Sequence, residues 1–322
     1  MPSWTRREVH AVDDLSFAHL REEVFRLHAA GRHAEALALL EREAVRFPDR
    51  WRETLYWQGC LAARAGDLDG ALRFLKKAVE RGHWWAEASL RGDPDLEALQ
   101  GKAEFEALVS VCRQCRAEAE AGAKPELLVL SSRKDPPWPL LIALHGAGGR
   151  AEGFAEHWRR ATADGWLVAV PQSSQVVASG GYGWGDHDRA AREIQACYEA
   201  MVRDYPVDLS RVVIAGFSQG GGQAMLMALF GLLPVRGVMS VAYAPGDSAK
   251  VRAAVADASA RGIRLYLVVG EKDQYFDRTR RFYETAKSAG MAVHLEVRPG
   301  LGHELPHDFD RTLIAGLEFL VG

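Results

Sequence analysis

Cysteine is scarce in this chain: Cys60, Cys112, Cys115 and Cys197 are scattered over 322 residues. Four thiols at such spacing make no disulfide framework and fit a reducing compartment. An excess of positive charge is missing as well. Forty Lys+Arg stand against 43 Asp+Glu, a formal charge of −3, which excludes the basic footprint of a nucleic-acid binder. No apolar run reaches spanning length. The opening MPSWTRREVHAVDDLSF carries polar and charged residues where a secretory signal needs an apolar core. A cytoplasmic protein with no membrane span and no nucleic-acid partner is expected.

What is present falls into two compositions. Up to about Ala121 the chain is rich in Ala, Leu, Glu and Arg and poor in β-branched residues, as helices are. From Glu126 onward the runs LLVL, LLIALHG, WLVAV, RVVIAG, VMSVAYA and LYLVVG alternate with helix-like stretches, the rhythm of a buried, mostly parallel sheet. Gly122 to Pro125 reads as a helix stop and linker. The expected domains are therefore 1–122, all-α, and 123–322, α/β.

Within the helical part, Gly31, Ala36, Leu37 and Leu40 recur 35 residues later as Gly66, Ala71, Leu72 and Leu75. A repeated helix-turn-helix follows, with DPDLEAL and FEALVSVCRQC as a degenerate third unit or capping helices. The stretches AGRHAEALALLEREAVRFP and AGDLDGALRFLKKAVERG resemble tetratricopeptide repeats; two generic helical hairpins are the plainer alternative. Trp51, Trp57, Trp84 and Trp85 concentrate aromatic area here. They read as core between helices and domains ahead of a partner-binding groove, so a protein or peptide partner of the repeats is an open expectation.

Chemistry concentrates in the second half. Strand RVVIA runs into Gly216-Phe217-Ser218-Gln219-Gly220 and then into helix-like GGQAMLMALF. A Gly-x-Ser-x-Gly between strand and helix is a nucleophile elbow, in which the glycines permit the tight turn that exposes the serine. A serine hydroxyl needs a histidine base and an orienting carboxylate, here in the order Ser, acid, His. Asp273 follows the strand IRLYLVVG, and His303 sits in a Gly-flanked loop after VHLEVRP. Glu271, Asp247 and Asp277 compete with Asp273, Asp277 reading better as a helix cap. His294 falls inside a strand pattern and His307 near the last helix, which leaves His303 as the base. His145-Gly146-Ala147-Gly148-Gly149 ends a buried strand and can aim backbone N–H groups at an oxyanion, with the N–H of Gln219 as second donor. It lacks the Gly-Lys-Ser/Thr ending of a phosphate loop. His145 precedes the nucleophile and reads as structural.

Remaining candidates read as ordinary structure. Cys112-x-x-Cys115 lies in a helical pattern without a redox or zinc context. His187 and Asp188, beside Trp184, read either as pocket lining or as part of a helix start, with capping by Asp186 favoured, and Met225 and Met227 fill core. No metal constellation stands out, so neither metal nor cofactor is expected.

In order, LHGAGG, GYGWGD, GFSQGGGQAM, GEKD and GLGHELP resemble the landmarks of the phospholipase/carboxylesterase family of α/β-hydrolases, which includes acyl-protein thioesterases. The resemblance covers roughly Glu126 to Gly322. It implies Ser218 as nucleophile, Asp273 as acid, His303 as base, and Ala147 and Gln219 as oxyanion donors. Gly185 stands where that family usually has Phe. The expected activity is hydrolysis of carboxylic esters, or thioesters, of small-molecule or acylated substrates. Tyr182 and Trp184 are expected to shape an uncapped pocket for short or medium acyl groups. Competing readings are a serine peptidase and a partner-binding protein whose hydrolase fold is only a scaffold.

Overall fold

In the computed structural model the described residues are 11–132 and 134–322. The opening decapeptide, on which part of the signal-peptide reading rests, lies outside them. The chain divides into two compact units, Met1–Ala121 and Gly122–Gly322.

The first unit is helical. Helices α1 (Ala11–Ala29) and α2 (His33–Glu43) form one hairpin, and α3 (Trp51–Arg64) and α4 (Leu68–Glu80) the next. Both turns pass through a glycine in the left-handed region, Gly31 (φ 73°) and Gly66 (φ 88°), a conformation that costs other residues a Cβ clash. The repeated positions Ala36, Leu40, Ala71 and Leu75 are completely buried. Gly59 lets α3 approach α4, since a Cβ there would meet the Leu75 side chain at 2.9 Å. Helix α5 (Glu87–Gly92), a 3-10 turn (Pro94–Leu99) and α6 (Ala103–Gly122) complete the unit. Trp84 and Trp85 are buried. Trp57 stacks on Phe17, with ring centroids 5.9 Å apart, and Trp51 lies under the Arg81 guanidinium at 4.0 Å. Cys112 is buried in α6, and all four cysteines are free thiols. No helix among the described residues is long and apolar enough to cross a membrane.

The second unit is an α/β layer structure. Its strands are β1 (Glu126–Leu130), β2 (Trp138–Leu144), β3 (Leu167–Gln172), β6 (Val207–Phe217), β7 (Gly237–Val241), β8 (Arg264–Gly270) and β9 (Ala292–Arg298). They form one sheet in the order β1-β3-β2-β6-β7-β8-β9. Only β1 runs antiparallel to its neighbour. β4 (Gln175–Ala178) and β5 (Gly181–Gly183) make a separate hairpin. Helices α7 (Ala151–Trp158), α8 (Arg160–Ala163), α9 (His187–Asp204), α10 (Gln219–Leu229), α11 (Ala249–Ala260), α12 (Phe276–Ser288) and α13 (Phe309–Val321) cover the faces.

The period of two along each strand sorts the core. Leu140, Ile142, Leu144, Val212 and Ile214 face α9 to α12, while Leu141, Ala143, Val213 and Ala215 face α7, α8 and α13. Burial on both faces is why these strands read as unbroken apolar runs. Successive loops thereby emerge together at the carboxyl edge of β2, β6, β8 and β9.

Candidate active site

β6 ends in the elbow. Ser218 has φ 52° and ψ −119°, a sterically costly backbone for a residue with a Cβ. It is held by its N–H donating to the Val241 carbonyl at 2.8 Å and its carbonyl accepting from Gly222 at 3.0 Å. Both flanking glycines are sterically required: a Cβ at Gly216 would overlap the Gly220 backbone, and one at Gly220 would overlap the Leu144 and His145 carbonyls. A serine before a helix ordinarily caps it. Ser218 makes no such bond; its hydroxyl points to His303 instead.

Ser218 Oγ lies 2.8 Å from His303 Nε2, and His303 Nδ1 lies 2.9 Å from Asp273 Oδ2. A carboxylate only accepts, so Nδ1 carries the proton and Nε2 is left to accept from the serine hydroxyl. The Asp273 side chain is fully buried while that of His303 is 31% exposed. The other oxygen of Asp273 accepts from the Tyr275 N–H at 2.8 Å, which orients the carboxylate. The His303 ring lies between Phe217, at 5.3 Å, and Tyr275, at 5.5 Å.

The competing carboxylates have other work. Glu271 accepts from the N–H of Gly300 at 3.0 Å, tying down the loop that carries His303. Gly270 lets that loop lie on the end of β8, because a Cβ there would overlap the Leu301 carbonyl. Asp247 pairs with Arg252. Asp277 was expected to cap α12, but the helix begins at Phe276, which puts Asp277 inside the first turn. Of the other histidines, His294 stacks on Tyr266 at 4.7 Å and His307 is exposed.

The Gly-rich loop after β2 abuts the elbow: a Cβ on Gly146 would touch the Phe217 ring at 3.0 Å. Its shape is fixed from β5. Gly148 N–H donates to the Tyr182 carbonyl at 2.8 Å, and Tyr182 N–H donates to that of Gly149 at 3.1 Å. The N–H groups of Ala147 and of Gln219, the latter at the positive end of α10, have no acceptor among the described residues. Beneath the loop, His145 is completely buried. Its Nδ1 lies 2.9 Å from the Gly146 carbonyl, and its Nε2 is 3.2 Å from the Gln172 amide nitrogen. The Gln172 oxygen is already taken by the Ala151 N–H. His145 is therefore neutral with the proton on Nδ1, and burial pushes its pKa down to about 4.

Tyr182 and Trp184, expected to shape the substrate pocket, are not among the residues lining the cleft beside the elbow. Trp184 is completely buried. Its indole N–H donates to the His145 carbonyl and its backbone N–H to the Gln219 side chain, both at 2.8 Å. It braces the loop and the elbow, and with Gly185 following it no bulky side chain projects there. Tyr182 borders a separate depression with Arg150 and Gln172. The cleft next to the elbow, about 210 Å³, is bordered by Gln219 and Gly222 of the first turn of α10 and walled by Leu226, Phe230, Tyr243 and Pro245. His187 reaches its rim and meets Gln223 at 2.9 Å, while Asp186 caps α9 by accepting from Arg189 N–H. Apart from His187, weighed from the sequence as pocket lining, this lining was not read from the sequence because it comes from separate segments, α9, α10 and the loop after β7 among them. The one available signal was Gly222, whose missing side chain makes room for the Tyr243 ring.

Residues 126–318 match the model of the phospholipase/carboxylesterase family, and residues 16–120 match that of the A/B hydrolase-like N-terminal domain. No curated protein matches the chain. Among solved structures, an uncharacterized protein from Bacillus cereus ATCC 10987 is 24% identical over 94% of this chain and 98% of that one, with a TM-score of 0.54. Esterase PE8 is 18% identical over 61% of this chain and 99% of that one, with a TM-score of 0.51. Both likenesses concern the fold. With a family model spanning well over half its length, this chain belongs to the phospholipase/carboxylesterase family.

Proposed function

We propose that the protein is a serine esterase that works through an acyl-enzyme, with Ser218 as nucleophile, His303 as base and Asp273 as orienting acid. The observation that carries this is the continuous hydrogen-bonded path from Ser218 Oγ through His303 to Asp273. Ser218 attacks the ester carbonyl as its proton passes to His303 Nε2. Asp273 stabilises the imidazolium, and the N–H groups of Ala147 and Gln219 receive the oxyanion. His303 then protonates the departing alkoxide, and water, activated by the same imidazole, releases the acid. No cofactor enters these steps.

The small cleft beside α10 favours short or medium acyl groups, because drug-sized ligands occupy cavities of roughly 300–1,000 Å³. Thioesters share the acyl half and remain within the proposal. The four free thiols support a reducing, cytoplasmic setting. For the helical unit, the paired glycine turns support a tetratricopeptide-like role in holding a partner segment.

The test is hydrolysis of a p-nitrophenyl ester series, acetate through palmitate, by wild type and Ser218→Ala. Acetate and butyrate should be turned over fastest, and Ser218→Ala should lose activity by about a million-fold. Preference for palmitate would refute the short-chain assignment, and activity retained in Ser218→Ala would refute the nucleophile. An amide substrate cleaved faster than its ester would favour a peptidase.

A further inference from the structure

The helical unit holds a cavity of about 350 Å³ walled by Val24, Phe25, Trp57 and Leu61, at one end of which polar side chains from three elements meet. Cys60 comes from α3, Asp93 and Asp95 from the start of the 3-10 turn, and His28 from the end of α1. The Cys60 sulfur and one oxygen of each aspartate lie within 4.8 Å of one another. Cys60 Sγ is 3.7 Å from Asp93 Oδ2, and His28 Nε2 is 3.2 Å from Asp95 Oδ2. Metal–ligand bonds of about 2.0–2.3 Å in a tetrahedron put neighbouring ligand atoms at about these separations. The Cys60 and aspartate donors are already gathered, and His28, which meets the group through Asp95, would have to turn further toward it to complete a four-ligand site.

We propose that this cavity binds a divalent transition-metal ion of the zinc class through Cys60 Sγ, Asp93 Oδ2, Asp95 Oδ2 and His28 Nε2. Thiolate, imidazole and carboxylate together suit zinc rather than calcium or magnesium, which take oxygen ligands. The surrounding groups are already placed to orient the ligands. His28 Nδ1 lies 3.2 Å from His33 Nδ1, so coordination through Nε2 leaves Nδ1–H to donate to His33, the usual support for a ligating imidazole. Asp93 is fixed by the Asp95 N–H on Oδ1 at 2.9 Å and by the Tyr56 hydroxyl on Oδ2 at 2.7 Å. Arg64 approaches Asp95 on Oδ1, at 3.5 Å, the oxygen away from His28. On binding, the Cys60 S–H bond breaks, its proton leaves to solvent and the sulfur lone pair bonds the metal; no electron transfer is involved. Without an ion, the same atoms form a plain network in which Cys60 and Tyr56 donate to Asp93. That network uses the same residues but makes no demand for a thiol at position 60.

The test is titration of the full-length, chelator-treated protein with Co²⁺, followed by displacement with Zn²⁺. Binding should produce the thiolate-to-cobalt charge-transfer band and the visible bands of a tetrahedral centre, both abolished by zinc. Cys60→Ser should remove the charge-transfer band, and His33→Ala should weaken binding by about 10–100-fold. Should Cys60→Ser not fold, Asp95→Asn and Cys115→Ala decide: the signal should fall in the first and persist in the second. No spectral change in the folded wild type would overturn the proposal. So would a signal lost only on replacing Cys115, which would place the metal on the Cys112–Cys115 pair instead.

Discussion

Ser218 and His145 show how single residues are held in states they would not adopt alone. Ser218 keeps a positive φ because two backbone hydrogen bonds and two clash-free glycines enclose it. His145 stays neutral because its surroundings offer one acceptor and one donor but little water. Its folded pKa, about 4, lies below the ordinary value, so the unfolded chain takes up a proton near pH 6.5 that the folded one refuses. Stability from this group is full above about pH 6.5 and is lost as pH falls toward 4, by up to about 3 kcal/mol. Urea midpoints measured between pH 7 and 4 should show this slope in wild type and lack it in His145→Asn; equal slopes would assign the acid sensitivity elsewhere. Ser218, Asp273 and His303 could be singled out because each follows a strand pattern, an apolar run before Ser218 and Asp273 and an alternating one before His303. The bracing role of Trp184 was not, since its partners, the His145 carbonyl and the Gln219 side chain, lie 39 and 35 residues away.

At the level of elements, strands were readable wherever both faces are buried, as in β2, residues 212–216 of β6 and residues 265–270 of β8, because no charged position interrupts those runs. The β4–β5 hairpin was invisible: three- and four-residue strands in a Gly- and Ser-rich segment carry no period. The 35-residue recurrence in the helical unit corresponds to two real hairpins, but their helix starts differ. Asp67 caps α4 by accepting from the Gly70 N–H at 2.8 Å, whereas Arg32, at the equivalent place before α2, makes no side-chain cap. Asp67→Ala should therefore destabilise the protein by about 1 kcal/mol, typical of a lost amino-terminal cap, while Arg32→Ala should lose no cap. Chemical denaturation of both variants checks this, and equal losses would contradict it.

Across the whole molecule, a helical unit and an α/β unit share one chain, and the second carries the match to the phospholipase/carboxylesterase family. Motifs made the α/β half legible because its candidate groups sit at strand ends, where short sequence signatures record the backbone turn. The cluster in the helical half left no such signature: Cys60 and Asp93 are 33 residues apart on different elements, and only the packing of α1, α3 and the 3-10 turn brings them together. The two proposed sites are thus separable by experiment, since the proposed esterase chemistry rests on Ser218 and the proposed metal binding on Cys60. The most direct test of the central claim is labelling of folded wild-type protein with a fluorophosphonate, followed by peptide mapping of the adduct. The account predicts a single phosphonylated residue, Ser218, with esterase activity lost in step with labelling; a folded protein that takes up no label, or takes it up at another residue, would contradict it.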